Sequence, residues 1–166
     1  MLMHRNEKWL FPVAVWCVLL LHSIAARSQQ IAIQNEDGRR TILSRADLEA
    51  LPHVKLQASA HDISATFEGV TLKSVLEKAG VGFGETLRGK RLASCLVAEA
   101  TDGYRVVIAL PEMDPAFTDK QIIVAFLKDG KPLDEKEGPY RIVIPDEKRP
   151  ARWIRQLTVL EIVSVQ

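Results

Sequence analysis

Residues 138–157 read GPYRIVIPDEKRPARWIRQL, placing Arg141, Lys148, Arg149, Arg152 and Arg155 around one indole, Trp153. A guanidinium binds phosphate or sulfate through two parallel hydrogen bonds, and an aromatic ring offers a face to a planar or cationic group. Arg141 opens one predicted strand, and the stretch from Arg152 to Arg155 opens the next. If those strands are neighbours, their ends converge on one anion. The competing reading is that these arginines lie over apolar surface and pair with Asp146 and Glu147.

Other constellations carry less. The segment ATDGYRVVIALPEMD holds Asp102, Tyr104, Arg105, Glu112 and Asp114. Its Asp102-Gly103 pair is accounted for by a hairpin turn of type I′. Glu112 and Asp114 read either as an acid pair or as loop residues before Pro115. Cys95 sits mid-strand among Leu92, Ala93, Leu96 and Val97, which predicts a buried small hydrophobe rather than a reactive thiol. His53 and His61 flank a strand without an obvious third metal ligand, so a structural or surface role is expected. There is no Cys-x-x-Cys, no His-Glu-x-x-His and no Gly-x-Ser-x-Gly. The glycine-rich GVGFGETLRG does not lead from a strand into a helix as a dinucleotide site does, and is read as a loop.

The elements that must hold these residues follow from periodicity. QIAIQNEDGRRTIL predicts two short strands joined at Asp37-Gly38. SRADLEALP predicts a helix with Ser44 as N-cap, Asp47 three residues on and Pro52 as its end. VKLQASA and ISATFEGV alternate in polarity as half-buried strands do. TLKSVLEKAGV places Leu72, Val75, Leu76 and Ala79 on one helical face, with Thr71 as cap and Gly80 at the left-handed C-terminal position. RLASCLVAEAT and YRVVIAL form a hairpin, PEMDPAF a helical turn, and IIVAFLKDG a buried strand ending at Asp129-Gly130. YRIVIPD and IRQLTVLEIV complete the set. Strands outnumber helices and do not alternate strictly with them, which is α+β with mixed or antiparallel sheets and a few short helices.

The chain of 166 residues fits one domain after its first stretch is set aside. His4, Arg5 and Lys8 precede an apolar run from Trp9 to Leu21, and Ala26 and Ser28 stand at the spacing for cleavage after Ser28. That pattern is a secretory signal peptide over 1–28, leaving a single domain over 29–166 in the periplasm or outside the cell. The apolar run falls short of the roughly 20 residues of a membrane-spanning helix, so no stable membrane span is expected after cleavage; an uncleaved anchor is the alternative. Cleavage removes Arg5, Lys8, Arg27 and Glu7 and takes the net charge from +1 to −1. Near-neutral bulk charge gives no case for nucleic acid or a membrane surface. Cys17 leaves with the leader, so Cys95 has no disulfide partner in the chain.

Four segments, in order, resemble a known family: FEGVTLKSVLEKAGV, TDGYRVVIAL, VAFLKDGKPLDEKEGPYRIVIPD and ARWIRQL. The set resembles the oxidoreductase molybdopterin-binding domain of the sulfite oxidase superfamily, from Leu43 onward. The resemblance implies a sulfite oxidase-type molybdopterin-binding fold. It implies a cofactor or anion site drawn from Arg141, Arg152, Trp153, His61 and Tyr104. The departures are Phe67 where the family commonly has Trp, a shortened Gly138-Pro139-Tyr140-Arg141 segment, and Arg152-Trp153 in place of Lys-Trp. In the family a cysteine ligating molybdenum lies shortly before the Trp-x-Gly segment. The matching residues, Leu56 to His61, contain none.

The chain thus resembles small, stand-alone members of the superfamily that lack the metal-ligand cysteine. The expected function is a non-catalytic module binding an anionic, pterin-like small molecule or an envelope protein partner. The alternative is a molybdopterin-dependent oxidoreductase. No cofactor follows from the residues alone; molybdopterin is the one that the resemblance offers.

Overall fold

The computed structural model describes residues 29–60 and 63–164. The predicted leader and His61 lie outside the described residues. Ten strands are described: β1 Gln30–Gln34, β2 Arg40–Ser44, β3 His53–Ala60, β4 Ile63–Thr71, β5 Ser94–Ala100, β6 Arg105–Ala109, β7 Ile123–Lys128, β8 Lys131–Pro132, β9 Arg141–Val143 and β10 Leu157–Ser164. Two short helices, α1 Arg45–Glu49 and α2 Leu72–Lys78, stand between β2 and β3 and after β4.

The strands form two five-stranded sheets. One runs β2-β1-β10-β5-β6; the other runs β3-β4-β7-β8, with β9 also pairing β7. The β1–β10 pair is parallel and the others are antiparallel, so the first sheet is mixed. One apolar core draws on both sheets, including Ile31, Leu96, Ile108 and Leu160 from the first and Phe67, Val70, Val124 and Ile142 from the second. Strand β5 shows the alternation that one buried face requires, with Ser94, Leu96, Ala98 and Ala100 buried and Cys95, Val97 and Glu99 partly exposed.

Local chemistry explains the elements. The Ser44 hydroxyl accepts from the Asp47 N–H and the Asp47 carboxylate accepts from the Ser44 N–H, so the expected cap of α1 is a reciprocal box. Thr71 caps α2 at the Ser74 N–H, and the helix buries Leu72, Val75 and Leu76. Gly69, two residues after Phe67, lies at a bulge where β4 and β7 approach closely. A Cβ there would stand 2.0 Å from the Val124 carbonyl oxygen, so no other residue fits without moving a strand.

Three local expectations change. The hairpin between β5 and β6 is not type I′, because only Gly103 of its pair has positive φ; Asp129 and Gly130 both do, and carry that geometry between β7 and β8. The strand expected from Arg91 begins at Ser94, after a 3-10 turn over Gly89–Ala93. The strand expected from Ile154 begins at Leu157, after a 3-10 turn over Pro150–Arg152 and a left-handed Gln156.

Candidate functional site

Strands β9 and β10 belong to different sheets, so Arg141 and Arg152 do not sit at the ends of two paired strands. Their segments still lie side by side: the Ile142 N–H donates to the Ile154 carbonyl at 2.9 Å and the Leu157 N–H to the Tyr140 carbonyl at 3.0 Å. Each guanidinium has its own partners.

Arg141 is 6% exposed, in β9 and against β7. Its guanidinium carbon lies 5.3 Å from the ring centre of Phe67 and 5.6 Å from that of Trp153. Nη1 donates to Glu137 Oε1 at 2.5 Å, while the buried Nε has no partner. Burial pulls the Arg141 basicity below its ordinary value, and the Glu137 carboxylate offsets this only in part. Lys128 Nζ reaches both Glu137 oxygens, at 3.2 and 3.3 Å, and lies 5.9 Å from the Phe67 ring centre. The five residues Phe67, Lys128, Glu137, Arg141 and Trp153 form one cation–aromatic–carboxylate cluster.

Trp153 belongs to this cluster and not to an open platform. It is 4% exposed, meets the Phe67 ring edge-on at 5.9 Å, and donates its Nε1–H to the Ile144 carbonyl at 2.7 Å. The expected ligand-stacking indole is therefore packed into the core, because a buried indole N–H needs the acceptor that Ile144 supplies.

Arg152 is also committed within the chain. Its guanidinium bonds Glu147, Glu112 and the Val107 carbonyl. Burial lowers its basicity, but the two carboxylates outweigh that and raise it above its ordinary value. Arg152, expected beside Arg141 at an anion site, is thus tied to two carboxylates of the chain. The pairing with Glu147, the competing reading, is what the structure contains; Asp146 takes no part in it.

The exposed groups gather beside this cluster. The loop after β5, the loop before β9 and residues 153–156 meet through Gln156: its N–H donates to the Glu137 carbonyl, its Nε2 to the Glu135 carbonyl, and its carbonyl accepts from the Thr101 N–H. Between them opens a cleft of about 490 Å³ lined by Asp102, Tyr104, Lys136, Trp153, Arg155 and Gln156, among others. Tyr104 is 51% exposed, and its hydroxyl donates to the Ala151 carbonyl at 2.9 Å, which holds the ring in place. Lys136 and Arg155 are exposed and form no ion pair among the described residues. Arg155 also lies close enough to Arg141 to disfavour its charge. Tyr104 and Trp153, both candidate site residues in the sequence, line this cleft, whereas Lys136 here and Lys128 and Glu137 in the cluster were passed over. A signal was present, since Lys136-Glu137 directly precedes Gly138-Pro139-Tyr140-Arg141.

Other candidates resolve into structure. His53 Nε2 contacts the Glu49 carbonyl and Nδ1 faces Glu68 at 3.5 Å. Cys95 is half-buried rather than buried, because it faces away from the core on β5. Glu112 accepts from the Ala109 N–H and from Arg152. Asp114 is 3% exposed and accepts from the Gly84 N–H at 2.6 Å and the Ala116 N–H at 3.0 Å. Burial raises the Asp114 pKa, but these amides and the field of Lys73 outweigh it and leave it below 3.8. Its stabilising contribution is present above that unfolded-state value and is lost as pH falls through the folded-state value. Asp114→Asn should remove that part of the acid sensitivity in urea unfolding followed between neutral pH and pH 3, and should cost about 2 kcal/mol near neutrality.

No helix among the described residues is long and apolar enough to cross a membrane. No group of three or more His, Cys, Asp or Glu is arranged to hold a metal among them.

Two mixed and antiparallel sheets with few helices, carrying this cleft between loops, define an α+β domain of the sulfite oxidase-type molybdopterin-binding fold. The model of the family described as "Oxidoreductase molybdopterin binding domain" matches residues 20–165, and the chain belongs to that family. The fold is similar to that of the sulfane dehydrogenase SoxCD from Paracoccus pantotrophus, with a TM-score of 0.63 and 18% sequence identity. The match covers 81% of this chain and 38% of that one, so the similarity concerns the fold alone. No curated relative matches the chain.

The donor set fits the two ends of the family's cofactor unequally. An exposed lysine and arginine beside a fixed tyrosine fit an anionic group. The metal end does not fit, because soft thiolate ligation needs a cysteine. The residues from Leu56 to His61 have none, and Cys95 lies on the other sheet.

Proposed function

We propose that this domain is a binding module for an anionic, planar, pterin-like molecule, held in the cleft over Tyr104 with its anionic group between Lys136 and Arg155. The observation that carries the reading is the contrast in charge. Arg141 and Arg152 are neutralised by carboxylates of the chain, whereas Lys136 and Arg155 meet no described carboxylate. A guanidinium and an ammonium at a cleft mouth supply charge-assisted bonds to a phosphate oxygen, and the tyrosine ring supplies a face. The N-terminal pattern of basic, apolar and small residues supports export. We place the module in the cell envelope, where a protein partner is a further candidate to meet it.

One observation favours a second reading: the family match spans residues 20–165 and the family is one of oxidoreductases. A molybdopterin-dependent oxidoreductase remains the alternative. In that case the cofactor would supply the redox chemistry, Lys136 and Arg155 would hold its anionic end, and no thiolate of this chain would hold the metal.

The test is thermal stabilisation of the purified protein by a pterin monophosphate at increasing concentration, which rises as RT ln(1 + [L]/Kd). Lys136→Ala combined with Arg155→Ala should raise Kd about tenfold or more while leaving the ligand-free Tm in place, since exposed unpaired charges add little to stability. An unchanged Kd in the double variant would remove the cleft from the account.

A further inference from the structure

We infer that Glu137 acts as an internal substitute for a ligand oxyanion: it fills an inner anion seat formed by Arg141 and Lys128, and so restricts which ligands the cleft accepts. This deepens the binding reading above and rests on it.

Three observations converge. First, Arg141 is built as a receptor, not as a surface charge. It is 6% exposed, lies against two aromatic rings and leaves its Nε without a partner. A planar guanidinium held this way is ready for a two-pronged bond to an oxyanion, yet Glu137 engages only Nη1. An acceptor able to bridge Nε and a terminal nitrogen would satisfy the group more fully than Glu137 does.

Second, Glu137 brings a second cation to the same place. Lys128 Nζ bonds both of its oxygens, so the carboxylate is shared between an arginine and a lysine as a phosphate oxygen set would be. The Lys128 and Glu137 side chains are 37% and 17% exposed, which connects the buried seat to solvent. Third, the carboxylate arrives on a loop, not on a strand. Residues 134–138 form a turn in which the Asp134 carboxylate accepts from the Lys136 and Glu137 N–H groups, and Lys136 of the same loop lines the cleft. The carboxylate of the inner seat and the Lys136 ammonium at the cleft thus share one loop.

The consequence is selectivity. A ligand with one anionic group is held by Lys136 and Arg155. A ligand with a second, deeper anionic group meets the Glu137 carboxylate, and like charges there disfavour it.

Titration with inorganic phosphate, followed by NMR of the arginine Nε–H signals, tests this directly. In the wild-type protein phosphate should move the Arg155 signal and leave that of Arg141 unmoved. In Glu137→Gln the Arg141 signal should also move, with phosphate affinity increased about tenfold by removal of the competing charge. An Arg141 signal that stays still in a folded Glu137→Gln protein overturns the inference, as does an Arg141 signal that moves equally in the wild type. Should Glu137→Gln not fold, Glu137→Asp withdraws the carboxylate by one methylene: movement of the Arg141 signal in that variant supports the inference, and its absence overturns it. The Arg155 signal reports the outer cleft independently, so failure of the cleft reading and failure of the Glu137 inference appear at different residues.

Discussion

Trp153→Ala should unfold about 10–20 °C below the wild-type protein, the shift expected when about 3–5 kcal/mol is lost from a domain of this size. Deleting the indole empties the space beside Phe67 and Arg141, two groups that both lie against it. It also leaves the buried Ile144 carbonyl without its donor, and an unsatisfied buried acceptor costs a further share on its own. Trp153→Phe separates the two contributions: it keeps most of the ring packing and loses the hydrogen bond, so its loss should be about 1–3 kcal/mol. Urea unfolding followed by far-ultraviolet circular dichroism measures both. A Trp153→Ala protein within about 1 kcal/mol of the wild type would show that the indole is not part of the core.

Arg141→Ala should cost about 3 kcal/mol or more, because removing one member of a buried pair leaves the other without its partner. The residual charge here is Glu137, which keeps Lys128 and so is not wholly abandoned. That places the loss at the lower end for a buried pair. Arg141→Lys should recover only part of it, since an ammonium cannot reproduce a flat guanidinium lying against the Phe67 and Trp153 rings. Combining Arg141→Met with Glu137→Leu should be less damaging than Arg141→Ala alone, because the pair is then removed together. If Arg141→Ala and the paired replacement are equally destabilised, the ion pair does not couple the two residues.

The elements were legible in the sequence where one local rule governed each. The caps at Ser44 and Thr71, the left-handed Gly80 and the alternation along β4 all follow from neighbouring residues. The family was legible too, from four ordered segments. The site was legible only in part. Tyr104 and Trp153 do line one cleft, and Arg141 does sit in a cation–aromatic cluster. What the sequence hid was the partnering. Glu112 is 40 residues from Arg152, and Phe67 and Trp153 lie far apart in the chain. Pairings of that separation are set by which strands share a sheet, and neighbouring residues do not report it. The expected convergence of Arg141 and Arg152 failed for the same reason, since β9 and β10 read as consecutive strands and belong to different sheets. The turn at Asp102-Gly103 failed locally: Asp102 holds the Tyr104 N–H with its side chain and keeps a negative φ. That arrangement also places Tyr104 at the cleft.

The measurement that bears most directly on the account is joint analysis of pterin and molybdenum in the protein purified from a host that makes molybdenum cofactor, before and after dialysis. The account predicts that pterin is retained, that molybdenum falls far below one atom per chain on dialysis, and that pterin is lost from the combined Lys136→Ala and Arg155→Ala variant. Molybdenum held near one atom per chain through dialysis would contradict it and favour the molybdopterin-dependent oxidoreductase. Absence of pterin from the wild-type protein would contradict the binding reading itself.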